Sequence, residues 1–368
     1  MRKLRKIMII FAAVIVLLAV AVFLFMQTAP FGKNPSGKRL EQIEKSPNYR
    51  EGSFLNLSPT IMMAENASYM KMIVEYFSAG VNREPENPLP SVKRNLKVAP
   101  ENKPTITWFG HSSYFIQAGG KNILIDPVFS ERTSPVSFAG SKSYAGTQVY
   151  NVEDFPEIDL IILTHDHYDH LDYNTILKFK DKAAKFIMPL GVGSHLESWG
   201  FDTSRIMEAD WWEEIRLDDS LKIAVTPARH FSGRGFVRNK TLWASFVLMF
   251  PDNRIYVGGD SGYDRHFREI GDKYGPFDIA MLESGQYNEK WPQIHMMPEQ
   301  TVQASVDLKA AVLMPVHWGK FTLALHPWNE PVERVLARAE ELKVKVTTPM
   351  LGERLVIGER LPEKKWWR

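Results

Sequence analysis

The chain contains no cysteine in its 368 residues. This excludes disulfides, a thiolate zinc site, a cysteine nucleophile and a lipid-modified cysteine behind the N-terminal segment. Any bound metal must be held by His, Asp or Glu. An excess of charge of one sign is also lacking. The 45 Lys+Arg against 43 Asp+Glu leave a net charge of +2, so there is no nucleic-acid footprint. No Gly-x-Ser-x-Gly elbow, P-loop or Gly-x-Gly-x-x-Gly fingerprint occurs. That removes the usual serine-hydrolase, nucleotide and dinucleotide readings. Internal repeats and low-complexity tracts are absent as well.

Beyond these absences, the N-terminus is informative. Arg2, Lys3, Arg5 and Lys6 precede residues 7–26, which carry no charge. As a helix that run spans about 30 Å, the thickness of a bilayer's hydrocarbon core. The basic segment 1–6 is expected to stay cytoplasmic and the rest to lie on the far side. The expectation is a transmembrane anchor over 7–26 with an extracytoplasmic catalytic domain, periplasmic or at the cell surface. A cleaved signal peptide competes, but the run is long for one. The best small-residue site, Gln27-Thr28-Ala29, is followed by Pro30.

Residues 27–103 read as a linker and a domain-wrapping extension. Within them, 31–48 has linker composition and 83–104 carries five prolines, predicting an irregular path. Residues 58–79, rich in Met, Ile, Tyr and Phe, predict a helix. It either packs on the domain or forms a soft apolar surface near the membrane.

Residues 104–368 read as one catalytic domain. Strands are expected at 105–109, 114–118, 122–125, 160–163, 185–188, 221–226, 242–250, 254–257, 279–282 and 311–316. Helices are expected at 175–179, 299–308 and 331–342. Apolar strands mixed with helices imply an α/β fold whose sheets are buried on both faces.

The decisive segment is Thr164-His165-Asp166-His167-Tyr168-Asp169-His170. Its His-x-His-x-Asp-His pattern is a poor core and a good metal site, because imidazole and carboxylate suit zinc and its first-row neighbours. Past a strand end, alternation puts His165 and His167 on one side. Asp169 and His170 follow where the chain curls toward a helix, so one short segment can serve two adjacent metals.

Further ligands are needed. His230, Asp260 and His317 each sit just beyond an apolar strand, at the kind of rim where α/β sheets carry their sites. The glycines around Asp260 permit close backbone approach. Taken alone, each of the three would be an ordinary surface histidine or turn aspartate. Beside the His165–His170 run they become candidates, because the metals demand more ligands. His195, His266 and His326 lie in polar stretches and read as ordinary histidines.

Several other segments share a pattern with these residues. They are Trp108-Phe109-Gly110-His111-Ser112, Leu124-Ile125-Asp126-Pro127-Val128, Ser134-Pro135-Val136-Ser137-Phe138, Gly259-Asp260-Ser261-Gly262, His295-Met296-Met297-Pro298-Glu299 and His317-Trp318-Gly319. Over roughly residues 104–351 the chain resembles the metallo-β-lactamase superfamily, within it the N-acylphosphatidylethanolamine-hydrolysing phospholipase D-like branch. The resemblance implies a four-layer αββα sandwich with two divalent metals, zinc favoured, at one sheet edge. His165, His167 and His230 would hold one metal, Asp169, His170 and His317 the other, with Asp260 bridging. His111 and Asp126 would lie close behind or contact substrate. His295 would line the pocket and meet the leaving group. Glu283-Ser284-Gly285 departs from the more apolar turn expected before Tyr287.

Two such metals would generate hydroxide at neutral pH and stabilise a developing oxyanion. The catalytic residues would then be Asp260, His295 and Asp169. The favoured activity is a phosphodiesterase of phospholipase D type on lipids. Alternatives are a lactonase or amide hydrolase, suggested by polarity around Glu283 and Arg234, and a silent metal-binding protein. The oligomeric state is open.

Overall fold

The computed structural model describes residues 2–65, 67–78, 82–98 and 103–368. Two sheets face each other. The first orders its seven strands Ile206–Ala209, Ala183–Pro189, Ile158–Ile162, Lys121–Ile125, Tyr114–Ala118, Thr105–Trp108 and Arg354–Val356. The second orders six: Glu214–Arg216, Lys222–Thr226, Ser245–Met249, Arg254–Val257, Ile279–Glu283 and Leu313–Val316.

Side-chain alternation decides which layer each residue serves. In one strand Ile123 and Ile125 point between the sheets, while Leu124 points to the outer layer. Leu160 and Ile162 likewise face inward and Ile161 outward. The inner layer gathers Ile106, Ile162, Val225, Phe246, Val257 and Val316 from both sheets. Helices Tyr173–Lys178 and Gly193–Ser198 cover the first sheet. Helices His266–Tyr274, Pro298–Asp307 and Glu330–Leu342 cover the second. The expected αββα sandwich is therefore the observed architecture, reached because both faces of both sheets are apolar. The C-terminus belongs to it: Trp366 stacks on Trp318 with ring centroids 5.2 Å apart.

The N-terminal 2–25 is one helix whose apolar side chains are all exposed, long and apolar enough to cross a membrane. The segment after it corrects the linker expectation. Residues 31–48 are docked: Gly37–Ile43 is helical, Ile43 is fully buried, and Arg39 pairs with Glu197 and Glu208. Asn48 donates to Asp210 at 2.8 Å. Linker composition hid a strip that the buried Ile43 and the paired Arg39 fasten to the domain.

The helix expected over 58–79 is shorter, Tyr69–Phe77, and its expected end at Ala79 lies outside the described residues. Residues 58–65 run as turns instead, with Ala64 N–H bonded to Lys290 O at 2.8 Å. The proline-rich 83–104 is irregular over its described part, with Leu89 and Leu96 buried beneath it. Strands at 206–209, 214–216 and 354–356 and the helices at 193–198 and 266–274 lacked a periodic signal long enough to find them.

Candidate metal centre

Strand ends from both sheets build the site. His111, Asp126 and the His165–His170 run follow strands of the first sheet, and His230, Asp260 and His317 follow strands of the second. Glu283 closes the strand Ile279–Glu283. All of these residues meet at one rim.

They form two groups with one shared carboxylate. The ligand atoms of His165, His167 and His230 lie within 4.8 Å of one another, as do those of His111, Asp169, His170 and His317. Asp260 stands between. Its Oδ2 is 3.9 Å from His165 Nε2, 3.8 Å from His230 Nε2 and 3.2 Å from His170 Nε2. Its Oδ1 is 3.2 Å from His317 Nδ1. Within the first group, His167 Nδ1 lies 2.9 Å from His165 Nε2 and 3.3 Å from His230 Nε2.

The donor set fits metal ions on a separate observation. His170 Nε2 and Asp260 Oδ1 are buried without a hydrogen-bond partner. Buried polar atoms are ordinarily satisfied, and an unsatisfied one costs about 1–3 kcal/mol. Two such atoms at the centre of a histidine cluster are what cations would satisfy.

Groups behind the cluster aim it. Asp126 accepts from Thr164 N–H at 2.8 Å, from Thr164 Oγ1 at 2.6 Å and from His170 Nδ1 at 2.7 Å. That bond fixes the Nδ1–H tautomer of His170 and leaves Nε2 free to ligate. His230 Nδ1 donates to Ile294 O at 2.8 Å, with the same consequence. His111 Nε2 donates to Asp169 at 2.9 Å. His111 thus stands with the second group, beside Asp169, rather than apart from it.

Backbone strain collects here too. His111, Asp126 and His317 have φ of +53°, +38° and +67°. Non-glycine residues in that region cost on the order of 1–3 kcal/mol each and persist where the surroundings over-determine them. Close approach does the rest. A Cβ on Gly259 would lie 2.4 Å from Ala244 O, and one on Gly285 would lie 2.1 Å from His317 O. Glycine at 285 therefore permits the turn that the more apolar expectation did not foresee.

Three residues read as ordinary prove otherwise or remain so for a reason. His195 is buried, and its Nε2 donates to Asp166 Oδ2 at 3.1 Å. Thr241 Oγ1 and Gly233 N–H also bind Asp166, at 2.8 and 2.7 Å. Burial alone would raise the Asp166 carboxyl, but these bonds outweigh it and hold it below the ordinary range. Asp166, inside the His165–His170 run yet bonded away from the histidine cluster, is the strut that stiffens it. His266 packs beside Asp260's neighbour, with Nε2 3.2 Å from Ser261 Oγ. His326 accepts Gln286 N–H at 2.9 Å and stacks on Tyr287. Sequence could have flagged only Asp166, as a carboxylate among ligands that needs a partner.

Above the cluster opens a cavity of about 340 Å³. Met62, Met63, Met72, Phe231, Ile294 and Leu323 give it apolar walls, and His167, Asp169, His230, Asp260, His295 and His317 form its polar floor. A larger cleft of about 830 Å³ lies at the opposite strand ends, around Asp218–Lys222 and Pro251–Arg254. It holds no histidine, so the smaller cavity is the chemical one. Arg234 does not line either cavity. It is buried, donating to Asp166 O and Leu171 O at 2.8 Å and to Pro30 O at 2.7 Å. Glu283 is buried as well, accepting Met296 N–H at 2.7 Å, with His295 Nδ1 at 3.4 Å. Burial pushes its carboxyl up to about 7. Burial works against charge on His295 too, but the Glu283 carboxylate raises it overall. The polarity expected from Arg234 and Glu283 is thus spent inside the protein.

Comparison with known proteins agrees with this geometry. Residues 121–318 match the family described as the beta-lactamase superfamily domain. The chain belongs to that superfamily. An uncharacterized protein of Mycobacterium tuberculosis is 42% identical over 88% of each chain, so the likeness extends beyond the sandwich into the N-terminal extension. An N-acyl-phosphatidylethanolamine-hydrolyzing phospholipase D of Caenorhabditis elegans is 30% identical, covering 67% of this chain and 74% of its own. Among solved structures, a metallo hydrolase of the archaeon Ignicoccus hospitalis aligns with a TM-score of 0.54 at 25% identity, over 70% of this chain and all of its own. The protein is a metal-dependent hydrolase of this superfamily.

Proposed function

We propose that the chain is a membrane-anchored, binuclear phosphodiesterase that cleaves lipid phosphodiesters of the N-acylphosphatidylethanolamine kind. The observation that carries this reading is the Asp260 carboxylate lying between two histidine groups at the floor of an apolar cavity. The C. elegans relative's named activity supports the substrate class. The exposed helix Arg2–Phe25 supports a position at lipid, with the catalytic domain extracytoplasmic.

His165, His167 and His230 would hold one divalent ion and Asp169, His170 and His317 the other, with Asp260 shared; zinc suits these donors. When bound, such ions make hydroxide available at neutral pH and polarise a phosphoryl oxygen. The chain's own residues do the rest. Asp126 and Thr164 keep His170 oriented. His111 holds Asp169 in place. His295, its ring 5.0 Å from that of His230, lies in the cavity floor and carries the proton that the leaving oxygen takes up. Glu283 behind it resupplies that proton. The flexible thioethers of Met62, Met63 and Met72 accommodate acyl chains of varied shape.

Incubating the full-length protein with N-acylphosphatidylethanolamine and other glycerophospholipids, with and without chelator, tests the reading. Phosphatidic acid should appear, and chelator should stop it. If no phospholipid yields it while a lactone or amide is turned over, the bond assignment is wrong and the fold's alternative chemistry holds.

A further inference from the structure

The loop of residues 233–240 joins the membrane-candidate helix to the cavity. At its start, Arg234 binds Pro30 O just below the helix, and Tyr168 of the metal run donates to Arg234 O at 2.7 Å. Trp199 Nε1 grips Ala29 O at 2.7 Å, and Lys33 N–H donates to His195 Nδ1 at 3.1 Å. Phe31 touches both sides of the junction, with ring centroids 5.2 Å from Phe25 and 6.4 Å from Tyr168. The foot of the helix is therefore fixed to the catalytic domain rather than tethered to it.

The next residues lie where that helix ends. A Cβ on Gly235 would sit 2.9 Å from Met26 Cε, so the loop packs against the last side chain of the apolar run. Phe236 and Val237 follow, 83% and 52% exposed. Arg238 then turns back to line the cavity. Its guanidinium lies 5.0 Å over the Phe231 ring and makes no ion pair among the described residues.

We propose that Phe236 and Val237 enter the bilayer leaflet from which the helix Arg2–Phe25 emerges, giving the chain a second membrane contact beside the cavity mouth. Exposed apolar side chains next to a membrane-spanning segment meet lipid rather than water, and an adjacent cation suits the headgroup layer. Arg238, one residue on, is then held at phosphate level while its neighbours sit deeper. The arrangement presents the cavity to lipid headgroups of the same leaflet. It rests on the helix being a membrane span, but not on which bond the site cleaves.

The absence of cysteine makes the test direct. Single variants Phe236→Cys, Val237→Cys, Leu17→Cys and Val306→Cys carry an environment-sensitive dye on the full-length protein in lipid nanodiscs. Leu17 lies in the helix. Val306 is exposed near the end of Pro298–Asp307, whose opposite end faces the site. Lipids spin-labelled at depths from the headgroup to the middle of the acyl chain should quench the dye at 17, 236 and 237 and leave 306 bright. Quenching at 17 with none at 236 or 237 overturns the second contact and leaves the anchor standing. No quenching at 17, 236 or 237 overturns both.

Discussion

The two halves of the centre reach the same point by different routes. His165, His167, Asp169 and His170 come from one continuous segment after the strand Ile158–Ile162. The segment turns on its own bonds, with His170 N–H and Leu171 N–H both meeting His167 O, at 3.0 and 2.8 Å. The strut at Asp166, Asp126 behind His170 and His111 beside Asp169 stiffen it. His230, Asp260 and His317 come from three strands of the other sheet, and nothing local brings them together. Their convergence is set by the apolar layer between the sheets. The difference teaches that the first half is a local motif and the second is a property of the whole fold. Loss of a ligand that serves one group, such as His167, should cost one ion, and loss of Asp260 should cost both.

The largest expected effect follows from that asymmetry. Asp260→Ala removes the carboxylate both groups share, and should lower activity by more than the roughly 10- to 100-fold that losing an outer partner costs. Metal analysis of Asp260→Ala should find both ions depleted, whereas His167→Ala should deplete chiefly one. Equal metal loss in the two variants would break the comparison.

Next in size are the supports behind the local half. Asp126→Asn loosens His170 and Thr164, and His195→Phe frees Asp166 inside the run. Each should weaken metal affinity by about 10- to 100-fold while the fold persists. Competition with a chromogenic chelator measures it, and unchanged affinity in both would deny these residues their positioning role.

Proton supply gives a subtler effect. Glu283 is what raises His295. Glu283→Gln should let His295 fall, so the protonated acid is lost at lower pH. The descending alkaline limb of the pH–rate profile should move toward acid. A limb that stays in place excludes the pair from proton delivery.

The smallest effect is on stability. Burial drives His266 down to about 3. The unfolded chain takes up its proton below about 6.5, and the folded chain only near 3. The stability this group contributes is therefore present above about 6.5 and is lost as pH falls toward 3. His266→Gln should flatten melting temperature against pH over that acid range, as followed by calorimetry.

The sequence made the local half legible because its ligands are neighbours in the chain. The strand-end half was readable only as three apolar runs each followed by a polar residue, at His230, Asp260 and His317. Placement of the central strands was sound because they carry runs of apolar residues, as at 160–163 and 246–249. The short edge strands at 214–216 and 354–356 carry no such run. The positive φ at His111, Asp126 and His317 left no trace, since no glycine marks those positions. His195 was hidden for a different reason: its partner Asp166 lies 29 residues away and across the fold. Arg234 looked available to substrate by composition, yet three backbone carbonyls claim it.

Elemental analysis of purified, catalytically active full-length protein tests the binuclear account most directly. Two divalent ions per chain are predicted, with activity lost as chelator removes them and regained when they are restored. Full activity at one ion per chain, or activity that survives complete chelation, would contradict it.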